Sequence, residues 1–114
     1  MSHGILLVVD DDHELRETLA EVLREEGYRV HQASNGKEAL QVLQRGLQPC
    51  LIVLDDMMPI MSGTEFLARL PEASAIPVLV ITAFDRIKNV GEDISVLHKP
   101  FDVVTILEAV KRHC

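Results

Sequence analysis

Carboxylates dominate the positions at which this sequence could carry out chemistry. Asp10 and Asp11 follow one apolar run, and Asp55 follows another. Thr82 and Lys99 come after two later apolar runs. Carboxylates brought together repel one another unless a cation joins them, and oxygen ligands without a nearby His or Cys pair suit Mg²⁺, with Mn²⁺ as the alternative ion. These residue types predict a divalent-cation site, provided that the fold brings them together.

Lys99 and Thr82 would add a phosphoryl pocket to such a site. The ammonium group would offset charge on the phosphoryl oxygens, and the hydroxyl group would donate a hydrogen bond to them. A carboxylate can itself be the nucleophile in phosphoryl transfer, which gives an aspartyl phosphate. The set therefore predicts phosphoryl chemistry.

The elements that must position these residues follow from the hydrophobic pattern. Short continuous apolar runs, typical of strands buried on both faces, alternate with segments of helical spacing. The runs predict five strands, at residues 5–9, 28–33, 50–54, 76–82 and 94–97. Strands separated by helices indicate an α/β domain with a parallel sheet, in which sites form at the carboxyl ends of the strands. The five residues named above lie at those ends.

Residues suited to capping predict several helix boundaries. They are Gly27 at the end of the first helix, Asn35 with Glu38 and Ser62 with Glu65 at helix starts, and Asp102 before the last helix. Residues 84–93 are mixed and poorly periodic, so the helix between the fourth and fifth strands is predicted to be short or irregular. No linker or repeat interrupts the pattern, and residues 1–114 are predicted to be a single domain.

Composition and cysteine usage exclude several classes of protein. The chain has 114 residues, 47% of them apolar, and a formal net charge of −7, which argues against a disordered chain and against nucleic acid or an anionic membrane as a direct partner. Cys50 and Cys114 show no metal-ligand spacing and no disulfide framework, so Cys50 is predicted to be a packing residue. A reduced, cytoplasmic setting is expected. Asp10 ends the first apolar run far short of a signal peptide or a membrane span.

Four segments at the predicted strand ends resemble the receiver domain of two-component response regulators. They are Val8-Val9-Asp10-Asp11-Asp12, Leu54-Asp55-Asp56-Met57-Met58-Pro59, Ile81-Thr82-Ala83 and His98-Lys99-Pro100-Phe101. Each segment alone is a weak signal, but all four occur in the family's order, and the resemblance covers nearly the whole chain. It implies a flavodoxin-like, doubly wound sheet of strand order 2-1-3-4-5 with helices on both faces.

The resemblance assigns roles to the cation site. By motif position, Asp55 resembles the phosphoacceptor and Asp11 the direct Mg²⁺ ligand. Asp10 would help to position the metal, largely through water, and the backbone carbonyl of Met57 would be a further ligand. The implied reaction is in-line transfer of a phosphoryl group from a histidine kinase's phosphohistidine, or from a phosphotransfer protein, onto Asp55, followed by hydrolysis.

The resemblance also assigns the phosphate side of the site. Thr82 resembles the switch hydroxyl, Ala83 would supply a backbone N–H group, and Lys99 would pair with the phosphate. The chain would then catalyse its own phosphorylation and dephosphorylation and switch conformation, without being a turnover enzyme. The residues name no downstream output partner or fused domain, and they imply no direct nucleic-acid binding and no membrane association.

Two departures from the family concern signalling, and two apolar residues concern the lifetime of the phosphorylated state. Thr82 and Lys99 are 17 positions apart, fewer than the family usually has. Val96 occupies the position of an aromatic switch residue, and a branched aliphatic side chain cannot move between two ring positions. The phosphorylation chemistry is expected to be intact, whereas the usual readout is called into question. Met57 and Phe84 flank the route of attacking water in this family and should slow hydrolysis of the acyl phosphate.

Two other functions compete with this interpretation. A haloacid-dehalogenase-type phosphatase also uses an aspartate nucleophile, Mg²⁺, a threonine and a lysine. However, Glu14 stands where such enzymes have Thr or Val, and 114 residues leave no room for a cap domain. The second rival is a receiver-like interaction module that is not phosphorylated, which Val96 and the short segment before it favour. Glycine-rich nucleotide-binding motifs do not occur in the sequence.

Overall fold

A five-stranded parallel sheet forms the centre of the fold. The computed structural model describes residues 4–55, 61, 63–70, 76–82, 94–98 and 103–114. The strands are β1 (Ile5–Val9), β2 (Arg29–Ala33), β3 (Leu51–Asp55), β4 (Val78–Thr82) and β5 (Ile94–His98). Their order is β2-β1-β3-β4-β5, and every neighbouring pair is parallel. This topology confirms the flavodoxin-like sheet expected from the sequence.

Four helices lie within the described residues. They are α1 (His13–Glu25), α2 (Gly36–Gln44), α3 (Gly63–Arg69) and α4 (Val103–His113). The segment 84–93, for which the sequence predicts a short or irregular helix, lies outside the described residues. None of the helices in the described ranges combines the length and the apolar character that crossing a membrane requires.

The helices cover both faces of the sheet. Alternate side chains of a strand point to opposite faces, and the buried residues accordingly form two clusters. The cluster under α1 and α4 contains Leu19, Leu23, Ile106, Ala109 and Val110 from the helices and Leu6, Val8, Leu51 and Val53 from the strands. The cluster under α2 and α3 contains Ala39 and Phe66 with Leu7, Val9, Ile52 and Leu54. Burial on both faces explains why the strands read as continuous apolar runs.

Side-chain caps fix the starts of α1 and α2. The carboxylate of Asp12, the N-cap of α1, accepts a hydrogen bond from the backbone N–H of Leu15 at 3.2 Å. The side chain of Asn35 accepts one from the backbone N–H of Glu38 at 2.9 Å. In return, the Glu38 carboxylate accepts from the backbone N–H of Ser34 at 2.9 Å. The hydrogen bonds from the backbone and side chain of Ser34 hold the pKa of Glu38 below its ordinary value. The predicted capping box at Asn35 is confirmed.

The end of α1 is also where the sequence predicts it. Gly27 directly follows the C-cap residue Glu26 and has a φ of 100°. This left-handed conformation favours glycine because a Cβ atom would strain it. The predicted caps Ser62 and Asp102 lie outside the described residues.

A disulfide bond joins Cys50, just before β3, to Cys114, just after α4. The interpretation that two cysteines make no disulfide framework did not anticipate this bond. They are 64 positions apart, and spacing alone carries no sign that the end of α4 returns to the amino edge of the sheet. Cys50 does pack against the cluster under α1 and α4, as predicted. Because the cysteines pair, their number and spacing no longer support a reduced setting, and the cytoplasmic location stays a prediction.

Candidate functional site

Three carboxylates converge at the carboxyl edge of the sheet. β1 and β3 are neighbours, and their register pairs Val9 with Leu54. The next residues along the two strands, Asp10 and Asp55, are therefore side by side. One carboxylate oxygen from each of Asp10, Asp11 and Asp55 lies within 4.8 Å of the others. The parallel sheet thus brings together acids that are far apart in the sequence, as the strand-end argument predicts.

The burial of this acidic cluster (Asp10, Asp11 and Asp55) is uneven. Asp10 is 4% exposed and Asp55 is 6% exposed, whereas Asp11 is exposed to solvent. Burial removes much of the water that stabilises a carboxylate, so buried carboxylates this close to a third favour a bound cation. Three oxygen donors at this spacing fit a hard divalent ion such as Mg²⁺, which usually keeps several water ligands. Because Asp11 is exposed, water can reach its carboxylate.

Backbone groups hold Asp10 in a fixed orientation. Its Oδ1 atom accepts a hydrogen bond from the backbone N–H of Asp12 at 2.9 Å. Its own N–H donates to the carbonyl of Ala33 at 3.1 Å, which extends the pairing of β1 with β2 by one residue. The carboxylate is therefore tied to the start of α1, and Oδ1 already has a protein donor. The role of Asp10 in positioning a metal stays a prediction.

Arg16, which the sequence analysis did not single out, ties α1 to the acidic cluster. Its Nη1 donates to the backbone carbonyl of Asp10 at 2.7 Å, and its Nε donates to Oε1 of Gln32 on β2 at 3.0 Å. Its Nη2 lies 3.0 Å from Nδ1 of His13. One guanidinium group thus joins the end of β1, β2 and the first turns of α1. In the sequence, the only indication of this contact is the spacing of Arg16 from Asp10, and that spacing becomes informative only once α1 and β2 have been placed.

The backbone places Thr82 at the same edge of the sheet. Asp55 pairs with Ile81, so Thr82 lies one residue beyond the end of β3. Thr82 in turn pairs with His98, the last residue of β5. Lys99 follows His98 directly in the sequence, but it lies outside the described residues. The position of Thr82 agrees with the prediction, while its hydroxyl's role and that of Lys99 stay predictions.

Four other predicted site positions are not tested by this geometry. Met57, Ala83 and Phe84 lie outside the described residues, so their assigned roles stay predictions. Val96 lies in β5, where its backbone pairs with that of Val80 in β4. Its assignment as the switch position and the consequence of its side chain stay predictions.

Comparison with known families and relatives identifies what the chain resembles. Residues 6–111 match the family described as the response regulator receiver domain. Sporulation initiation phosphotransferase F of Bacillus subtilis is 35% identical over 119 aligned positions, which cover 99% of this chain and 95% of the relative. A transcriptional regulatory protein CpxR homolog of Haemophilus influenzae is 40% identical over 93% of this chain but only 48% of its own length. The chain spans about half the length of this and several other curated relatives.

Solved structures of receiver domains also resemble this chain. The receiver domain of the Francisella response regulator 1452 superposes with a TM-score of 0.85 at 30% identity, covering 96% of this chain and 95% of that one. The 119 positions aligned with the Bacillus relative exceed the 114 residues of this chain, so the relative has residues without a counterpart here.

Proposed function

The chain belongs to the response regulator receiver domain family, and we propose that it accepts a phosphoryl group on Asp55 in a Mg²⁺-dependent reaction. The observation that supports this most directly is the convergence of the acidic cluster, whose carboxylate oxygens lie within 4.8 Å of one another. Asp55 is the last residue of β3 and is buried, so a rigid strand sets the direction of its carboxylate. A fixed nucleophile suits phosphoryl transfer, in which positioning contributes much of the rate.

The proposed reaction breaks one bond and forms one. An oxygen of Asp55 attacks the phosphorus in line, the bond from phosphorus to the donor's imidazole nitrogen breaks, and the imidazole leaves and takes up a proton. Asp11 and Asp10 would hold the ion, with the Met57 carbonyl as a further ligand. Bound Mg²⁺ supplies positive charge that offsets the charge on the phosphoryl oxygens. Thr82, Ala83 and Lys99 would contact the transferred phosphoryl group, as the resemblance to the family implies.

Receiver domains interact with histidine kinases or phosphotransfer proteins, and we propose one of these as the phosphoryl donor. The phosphoryl group then stays on the chain until water removes it, so the chain is not a turnover enzyme. A switch in conformation passes the signal to an output partner or fused domain. The site of this exchange is proposed to be the cytoplasm.

Intact-mass measurement tests the proposal. The chain is incubated with Mg²⁺ and acetyl phosphate, a small phosphodonor, and should gain one phosphoryl group. The Asp55→Asn variant should gain none, and chelation of the metal should abolish the gain in the native chain. Asp12→Asn is the matched control, because it removes the same charge from an exposed capping residue and should still be labelled.

Three results would contradict the proposal. Equal labelling of Asp55→Asn and the native chain would place the phosphoryl group elsewhere. Absence of labelling from acetyl phosphate and from every phosphohistidine donor would favour an interaction module that is not phosphorylated. Release of phosphate from a phosphate ester over many turnovers, without labelling of the chain, would instead indicate a phosphatase.

A further inference from the structure

The disulfide bond holds together two elements at the edge of the sheet opposite the acidic cluster. Cys50 precedes β3 and Cys114 follows α4, with 5.7 Å between their Cα atoms. Both residues are partly buried, and both pack against the cluster under α1 and α4. The bond therefore fixes the carboxyl-terminal end of α4 to the amino edge of the sheet.

The backbone around Cys50 fixes the residue and leaves room for its sulfur atom. The N–H of Cys50 donates to the carbonyl of Ile5 at 2.8 Å, which fixes the residue beside β1. Gly4 faces the sulfur, and a Cβ atom on Gly4 would lie 3.1 Å from Sγ of Cys50. Gly4 has a φ of 101°, a conformation that side chains rarely adopt. A larger residue there would be strained and would also crowd the sulfur.

The other partner of the bond, Cys114, follows the last turn of α4. Val110 is buried, but Lys111 and Arg112 beyond it are exposed. The N–H of Cys114 donates to the carbonyl of Val110 at 2.9 Å, so the helical pattern continues to the disulfide. Beyond Val110 the exposed residues contribute little apolar burial, so Cys114 is the next residue that packs against the cluster and carries the covalent bond.

The disulfide is remote from the proposed phosphorylation site. Cys50 and Asp55 are five residues apart along an extended strand, which separates their backbones by about 16 Å. A change at the cysteines can therefore occur without direct contact with the acidic cluster.

We propose that Cys50 and Cys114 are a site of reversible oxidation whose reactant is a low-molecular-weight disulfide of the glutathione type. The thiolate of one cysteine attacks the small disulfide, forms a mixed disulfide and expels one thiolate. The second cysteine then attacks the protein sulfur of that mixed disulfide, forms the Cys50–Cys114 bond and expels the second thiolate. The protein loses two electrons and two protons, and the small disulfide gains them. Oxidation clamps the end of α4, and reduction releases it.

A redox titration of the native chain tests the chemistry. The reduced chain is equilibrated with glutathione and glutathione disulfide at graded ratios, and remaining thiols are alkylated and counted by intact mass. The native chain should pass from two alkylated thiols to none without retaining an adduct. The Cys114→Ser and Cys50→Ser variants should each retain one glutathione adduct, because the second step is missing. A stable adduct on the native chain, or two thiols at every ratio, would overturn the proposal.

Hydrogen exchange tests the consequence for α4. On reduction, amides in the last turn of α4 should exchange faster by about tenfold or more. The last turn of α2, on the other face of the sheet, is the internal control and should not change. An unchanged rate in α4, or an equal rise in both turns, would overturn the clamp. Neither experiment uses a phosphodonor, so both outcomes are independent of the proposed function.

Discussion

Reduction of the Cys50–Cys114 disulfide should lower the free energy of unfolding by about 4 kcal/mol. The bond closes a loop across 64 positions. In the chain-entropy description, a cross-link of that span removes about 4 kcal/mol of conformational freedom from the unfolded chain at 25 °C. For a domain of this size, such a loss corresponds to a fall of about 15 °C in the melting temperature. The effect is large because it approaches the total stability of many domains.

Urea denaturation with and without a thiol reductant measures this difference. The unfolded state should be less compact after reduction, so the m-value should rise while the midpoint falls. Cys114→Ala is the control, and its unfolding should not respond to the reductant. A difference below about 1 kcal/mol between the oxidised and reduced native chain would refute the loop-entropy reasoning. A response of Cys114→Ala to the reductant would show that the reductant acts elsewhere.

Four further outcomes follow from the site and the caps. In thermal unfolding, Mg²⁺ at about 100 times its dissociation constant should stabilise the native chain by about 2.7 kcal/mol. The Asp11→Asn variant should lose this gain, and the Asp12→Asn control should keep it. Arg16→Ala should weaken Mg²⁺ binding about tenfold in a calorimetric titration, because the Asp10 carbonyl loses its 2.7 Å donor; unchanged affinity would refute a positioning role. The lowered pKa of Glu38 means that its contribution is present above its unfolded value of 4.5 and is lost as pH falls through the folded value. The stability gap between the native chain and Glu38→Gln should therefore close in denaturation curves at acid pH, and a constant gap would contradict this. Phe84→Ala should speed loss of the phosphoryl group, followed by intact mass, and an unchanged rate would refute shielding.

The sequence predicts the acidic cluster well because a parallel sheet leaves few possible positions for the carboxyl ends of its strands. Once β1 and β3 are recognised as buried strands, their carboxyl ends must meet at one edge, and Asp10 and Asp55 are carried there by register. Strand boundaries are less certain, because they depend on hydrogen bonding between strands. The fourth strand is predicted from residue 76 and begins at Val78, since Pro77 has no N–H to donate to a neighbouring strand.

The contacts of Arg16 and the disulfide bond were not predicted from the sequence, for a different reason. The contact between Arg16 and the Asp10 carbonyl depends on how α1 is rotated relative to β2, which apolar spacing fixes only roughly. The pairing of Cys50 with Cys114 depends on where the end of α4 lies over the sheet. Both are tertiary contacts made by polar or small side chains, and hydrophobic periodicity carries no information about them.

The two proposed sites act on opposite ends of one packed cluster. Asp55 ends β3 at the edge that would take the phosphoryl group, and Cys50 precedes β3 at the edge that is cross-linked. Every residue of β3 is buried, so the strand has little freedom to absorb a displacement locally. α1 and α4 share the cluster on one face of this strand. Any influence of oxidation on phosphorylation is therefore expected to pass through β3 itself and the cluster that it shares with α1 and α4, since the covalent bond does not reach the acidic cluster.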